Sequence, residues 1–195
     1  MINLPKVLDF VKLLNKFRQV ERVVKVPNQE RWENDVEHSY QLALLAWYLV
    51  DSNKLNLDKN LILKYALIHD FVEVYAGDTY IYSKNPLDHS TKKNRETKAT
   101  ERLKKEFLEF GDFHTLIDRY EKREDKESKF IYALDKVYPI LNIYVDNGRT
   151  WKLKEITLQM LIDHKKDKVA LSPEIEPYFK ELIELLKKEE SKLFN

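Results

Sequence analysis

Charge out of place is the first signal in this chain. Residues 61–75 are apolar nearly all round, as a helix buried on every side would be. The polar members of that stretch are Lys64, His69, Asp70 and Glu73. Glu73 follows His69 by four residues and Asp70 by three, so on a helix it projects near both. A lone acid, Asp135, sits inside a second apolar run, residues 130–141, four places before Pro139. Proline has no N–H for the Asp135 carbonyl, which favours a kink at that acid. His38 opens a third apolar stretch.

An unpaired buried carboxylate costs several kcal/mol. Acids and imidazoles on separate buried helices therefore need a compensating charge. A divalent cation supplies one, and imidazole with carboxylate suits Mn, Fe, Co, Ni or Zn better than Ca. Structural ion pairs are the alternative, for example Asp135 with Lys136 or His69 with Glu73. Spacing alone does not choose between them.

The elements that must position these groups are helical. The chain has 195 residues, enough for one sizeable core, but only three glycines and six prolines to interrupt long helices. Leu4, Val7, Leu8, Val11, Leu14 and Phe17 recur at helical spacing and predict a helix over 5–21, with Pro5 in its first turn. Residues 23–31 read as a loop turning at Pro27-Asn28. Asn34-Asp35-Val36-Glu37 has the form of a capping box and starts a second helix. Asp58 caps a third, expected to run to about Tyr75 and stop at Gly77. After a loop at 79–87 come a solvated helix over 88–109, a break at Gly111, and helices near 113–122, 126–146, 155–166 and 174–192. No strand and no domain boundary is expected. Trp47 and Trp151 read as packed residues, and His89, His114 and His164 as bystanders or surface groups.

Bulk composition narrows the partners. Thirty-four basic and 33 acidic residues nearly cancel, which gives no reason to expect bulk nucleic-acid binding. There is no cysteine, so disulfides and thiol chemistry are excluded. The longest apolar run, residues 42–50, is too short to span a bilayer. Met1-Ile2-Asn3-Leu4-Pro5 lacks a signal-peptide layout, so a cytoplasmic location without membrane contact is expected.

The order His38, His69-Asp70, Asp135 resembles the H…HD…D pattern of HD-domain metal phosphohydrolases. The local strings at 33–39, 68–79 and 133–136 are similar to the 5′-deoxynucleotidase-like branch, as are 139–142 and 148–152. The resemblance covers about residues 7–165. It implies an all-α, single-domain bundle of about six to nine helices spanning 1–195, with the 174–192 helix packed on the core. It further implies one divalent transition metal (Mn, Co, Fe, Ni or Zn) held by His38, His69, Asp70 and Asp135. Glu73 and Asp78 would lie near the scissile phosphate. Glu73 is assigned to water positioning and general acid/base work, and Asp78 to proton handling or substrate orientation.

The expected substrate is a small phosphate ester, a nucleoside or deoxynucleoside 5′-monophosphate. Pyrophosphohydrolase or phosphodiesterase action, or a non-catalytic nucleotide-binding module, are the alternatives, and a homodimer is left open. Phosphate calls for a guanidinium. Members of this branch carry a basic residue ahead of the first ligand, and Arg18, Arg22 and Arg31 are the candidates, Arg22 favoured. Characterised deoxynucleotidases have an arginine followed directly by tryptophan. Here Arg22 is followed by Val23, and Arg31-Trp32 lies closer to His38.

Overall fold

The computed structural model describes residues 3–194. Met1 and Ile2 of the amino-terminal stretch, and Asn195, lie outside the described residues. Eight helices have ten or more residues: α1 (Leu4–Phe17), α2 (Asp35–Ser52), α3 (Lys59–Ile68), α5 (Pro86–Glu106), α6 (Gly111–Lys122), α7 (Lys126–Val145), α9 (Leu158–Val169) and α10 (Glu176–Lys188). Three are short: α4 (Glu73–Ala76), α8 (Arg149–Leu153) and α11 (Glu190–Leu193). None of them is long and apolar enough to cross a membrane. The fold is all-α apart from one small hairpin, β1 (Glu21–Lys25) with β2 (Trp32–Asn34).

Caps set the starts of the helices that matter most. Asn34 accepts from the Val36 and Glu37 N–H groups while Glu37 reaches back to the Asn34 N–H, which is a complete capping box. Asp58 caps α3 through the Asn60 and Leu61 N–H groups, and Asp125 caps α7.

Two cores meet at the site. The larger lies among α2, α3, α7 and α9, where Leu42, Ile62, Tyr65, Phe130, Leu134 and Leu161 are all buried. The smaller joins α1, residues 71–74, α5 and α6 through Phe17, Phe71, Leu103 and Phe113. Each fully buried Leu, Ile or Phe contributes roughly 1.5–3 kcal/mol. That apolar packing fixes where the embedded polar groups must sit.

Four expectations need correction. The 23–31 loop is flanked by paired strands: Glu21 opposes Asn34 and Lys25 opposes Trp32, with an irregularity between. The third helix does not run to Tyr75. It ends at Ile68, and the chain continues through tight turns in which Phe71 N–H bonds Ile68 C=O and Glu73 N–H bonds Asp70 C=O. The break lets Ile68 reach both cores while Phe71 and Val72 enter the smaller one. Gly77, at φ +74°, does end the segment, as α4's C-cap. Residues 149–153 form α8, which no periodicity announced. Trp47 is 48% exposed rather than core. A nine-residue apolar run points in every direction around a helix, and α2 buries the side bearing Leu42, Ala43, Ala46 and Val50, so Leu44, Trp47 and Tyr48 face outward. Trp151 is packed as expected, stacked on Phe194 at 4.5 Å between ring centroids.

Candidate metal centre

Three helices bring four donors to one point. His38 comes from the first turn of α2, His69 and Asp70 from the end of α3, and Asp135 from the middle of α7. One ligand atom from each lies within 4.8 Å of all the others. His38 Nε2 is 3.0 Å from Asp135 Oδ1. His69 Nε2 is 3.1 Å from Asp70 Oδ2 and 3.7 Å from Asp135 Oδ1.

Local geometry sets the histidine orientation. His69 Nδ1 lies 2.9 Å from the Ala66 carbonyl, which can only accept, so Nδ1 carries the proton and Nε2 is the free donor atom. That Nε2 is buried and makes no hydrogen bond, although two carboxylates face it. Something positive belongs between these groups. Without a cation, Asp70 and Asp135 outweigh the opposing effect of burial and raise His69 to about 10. A divalent metal would do the work of that proton, and two imidazoles with two carboxylates are a donor set that fits one.

A shell of further charges surrounds the four. Arg22, from β1, has a side chain only 12% exposed and touches several acids. Its Nη1 lies 2.5 Å from Asp70 Oδ2 and 3.2 Å from Asp35 Oδ1, its Nη2 3.9 Å from Asp135 Oδ1, and its Nε 3.6 Å from Glu33 Oε2. Glu33 Oε2 is also 3.6 Å from His38 Nδ1, the nitrogen turned away from the donor cluster. Asn142 donates to the other Glu33 oxygen at 3.1 Å. Lys136 pairs with Asp135 Oδ2 at 2.5 Å, so one of the ion pairs considered as an alternative does exist beside the cluster. The other, His69 with Glu73, does not occur among the described residues.

Glu73 and Asp35 are buried, and each leaves one oxygen without a hydrogen-bond partner. They form a second close grouping with Asp70. Burial, then the charges of Asp70 and Asp78, hold the Glu73 carboxyl well above the usual carboxylate range. Burial and Asp70 push Asp35 up to about 7 against the pull of Arg22. Asp78, in the cavity lining, is raised by burial although Arg22 opposes it.

The cluster opens into a cavity of about 660 Å³. Arg22, His69, Asp70, Glu73, Asp78 and Asp135 all line it. Arg31 does not. It is half exposed and paired to Glu37 through both nitrogens at 2.6 and 2.7 Å. Arg18 is exposed on the surface and lies off the cavity too.

Sequence reasoning passed over several groups that the structure brings here. Asp35 was read only as part of a capping box and Glu33 only as part of a string, yet both reach Arg22. A buried partner for a largely buried arginine is not visible until β1 and β2 pair. His89, expected as a bystander, and His164, expected at a helix end or the surface, also line the cavity. His114 does not.

With fold and site described, the class is clear. The profile of the HD domain family matches residues 14–176, a span that contains every donor above. The chain belongs to the HD domain family. It is 31% identical over 140 residues to the 5′-deoxynucleotidase HDDC2 of Xenopus laevis and 29% identical over 136 residues to that of Homo sapiens. These matches take in 69% of this chain, which spans 66% and 65% of the two relatives' lengths. Among solved structures it is similar to a protein from Magnetospirillum magnetotacticum MS-1 described as a predicted metal-dependent phosphohydrolase. That likeness has a TM-score of 0.80 at 28% identity and covers 95% of this chain and 93% of the other. A conserved hypothetical protein from Pyrococcus furiosus shares the fold, with a TM-score of 0.60 at 22% identity, over 93% of this chain and 99% of that one.

Proposed function

We propose that this protein is a metal-dependent phosphohydrolase that releases phosphate from a nucleoside or deoxynucleoside 5′-monophosphate. The carrying observation is the buried, unbonded Nε2 of His69 facing two carboxylates at the floor of an open cavity. The names of the HDDC2 relatives support the substrate class. In this reading the chain acts as one unit over its 195 residues, in the cytoplasm, without a membrane or a nucleic-acid partner.

His38, His69, Asp70 and Asp135 would hold one divalent transition metal. When bound, such a cation lowers the pKa of a water and polarises a phosphoryl oxygen. The remaining work belongs to the chain. Glu73, beside Asp70 but outside the four-donor set, orients the water and takes its proton. Burial and the neighbouring acids raise its pKa, which makes its carboxylate a stronger base than a solvated one. Asp78, which also lines the cavity, would hand a proton to the leaving alcohol or orient the substrate. Glu33 turns His38 by facing its outer nitrogen. Arg22 favours the ionised form of Asp70, opposes the rise of Asp35, and presents its charge to the phosphate from the cavity wall.

The direct test is phosphate release from common ribo- and deoxyribonucleoside 5′-monophosphates after chelation and add-back of Mn, Co, Fe, Ni or Zn. Release should vanish with chelation and return with at least one of these metals. Release that survives chelation, or none from any metal and nucleotide combination, overturns the proposal.

The arginines separate sharply. Arg22→Ala removes a charge-assisted contact, worth roughly 1.5–3 kcal/mol. That corresponds to a fall of about 10- to 150-fold in kcat/KM. Arg22→Lys should recover only part of it, because one ammonium cannot reproduce the fork. Arg31 forms an exposed pair of small worth, so Arg31→Ala should change kcat/KM less than twofold. Steady-state kinetics on the best substrate decides this, and an Arg31→Ala effect as large as that of Arg22→Ala would reverse the assignment.

A further inference from the structure

Alongside its acids, the cavity lining carries more positive charge than one phosphate monoester needs. On α9, Leu161, His164, Lys165 and Lys168 follow the i, i+3, i+4, i+7 spacing of one helix face. Leu161 fills the core, and the other three line the cavity. Lys92 of α5 and Lys136 of α7 complete the wall. Lys92 has Glu96 at 3.4 Å and Lys136 has Asp135 at 2.5 Å. Lys165 is different. It is only 5% exposed, and among the described residues it makes neither an ion pair nor a hydrogen bond. Lys168 has no acid either. Its Nζ donates to His164 Nε2 at 2.8 Å.

These cations lie close enough to disfavour one another. Burial, then the charges of Lys136 and Lys168, push Lys165 down to about 7. Burial, then Lys136 and Lys92, push Lys168 down to about 8. Burial, then Lys168 and Lys165, push His164 down to about 4. A buried ammonium without a counter-charge is unfavourable unless an anion joins it. Lys92 and Lys136 already face Glu96 and Asp135, which leaves Lys165 and Lys168, and one carboxylate would supply a single charge for those two. A phosphoryl group supplies more charge and several acceptor oxygens, and lysine binds it as a point charge.

We propose that Lys165 and Lys168, with Lys136 and Lys92, form a second phosphoryl subsite, so that, of the nucleotides open to this phosphohydrolase, the preferred one carries a phosphate group besides the scissile one and the simple 5′-monophosphate is the weaker substrate. This rests on the phosphohydrolase reading above, in which the scissile group faces Arg22 and the four metal donors. The second group is either joined to the first, as in a nucleoside 5′-diphosphate, or set apart from it, as in a nucleoside 3′,5′-bisphosphate.

Calorimetry on the full chain tests it, with chelator present so that no turnover is needed. The probes are one deoxynucleoside as its 5′-monophosphate, 5′-diphosphate and 3′,5′-bisphosphate. At least one doubly phosphorylated probe should bind ten times more tightly than the monophosphate, and the tighter of the two reports how the groups are spaced. Lys165→Met should cut that advantage tenfold or more, and Lys165→Arg should keep most of it. Lys168→Met, at a half-buried position, makes the same comparison should Lys165→Met fail to fold. Equal or undetectable binding of the three probes, or an advantage that survives both Met variants, overturns the subsite. A retained advantage in a protein that releases no phosphate from any nucleotide with any metal would refute the hydrolase reading and leave the subsite standing.

Discussion

His69→Ala and Asp70→Asn should each abolish metal retention and phosphate release, the largest effect anticipated for any single change in this protein. Both residues offer a donor atom to the same point, and His69 Nε2 has no other partner. Removing one of four donors also leaves the remaining carboxylates facing one another in a buried site. The thermodynamic signature is specific. A metal that binds only the folded state at a hundred times its Kd stabilises by about 2.7 kcal/mol. For a chain of this size that is a Tm increase of roughly 5–11 °C. Wild-type protein should show this increase when metal is restored after chelation, and the two variants should not. Elemental analysis supplies the second reading. Stoichiometric metal in both purified variants would remove these residues from the ligand set.

Glu73→Gln should keep the metal and lose about 10²–10⁴-fold in kcat, the range expected for a general acid/base group. The substitution preserves size and one acceptor oxygen while removing the ability to take a proton. Glu73 is buried, with one oxygen unbonded and the carboxyl held above its usual range, so it has no structural ion pair to lose. KM should move far less than kcat. Near-normal turnover would exclude Glu73 from the chemistry. Loss of metal would instead make it a ligand, an outcome that its proximity to Asp35 and Asp70 allows.

Much of this architecture was legible residue by residue. The capping box at Asn34, the Asp58 cap and the Gly77 stop each act within a few residues, and they stand where local chemistry puts them. His69, Asp70 and Asp135 stood out because charge inside an apolar helix demands an explanation. The third helix was misjudged at its end for the same local reason. Phe71, Val72, Val74 and Tyr75 continue the apolar pattern past His69, and only the presence of two cores turns the chain there. Trp47 was misjudged because an unbroken apolar run does not say which side meets the core.

By itself, then, the sequence determined the long helices, about where each starts, and which acids and imidazoles lay where water is scarce. These follow from interactions within one or two helical turns. Tertiary structure alone decided what those groups face. The hairpin that carries Arg22 is too short to stand unaided. It is held from outside by Thr150, which accepts from the Lys25 N–H, and by Arg149, which donates to the carbonyls of Val26 and Gln29. That docking sets Arg22 against Asp35 and Asp70, places Glu33 behind His38, and leaves Arg31 outside with Glu37. It spans more than a hundred residues of chain, and no spacing rule reaches that far, because the partner of a buried charge is selected by packing rather than by proximity in sequence.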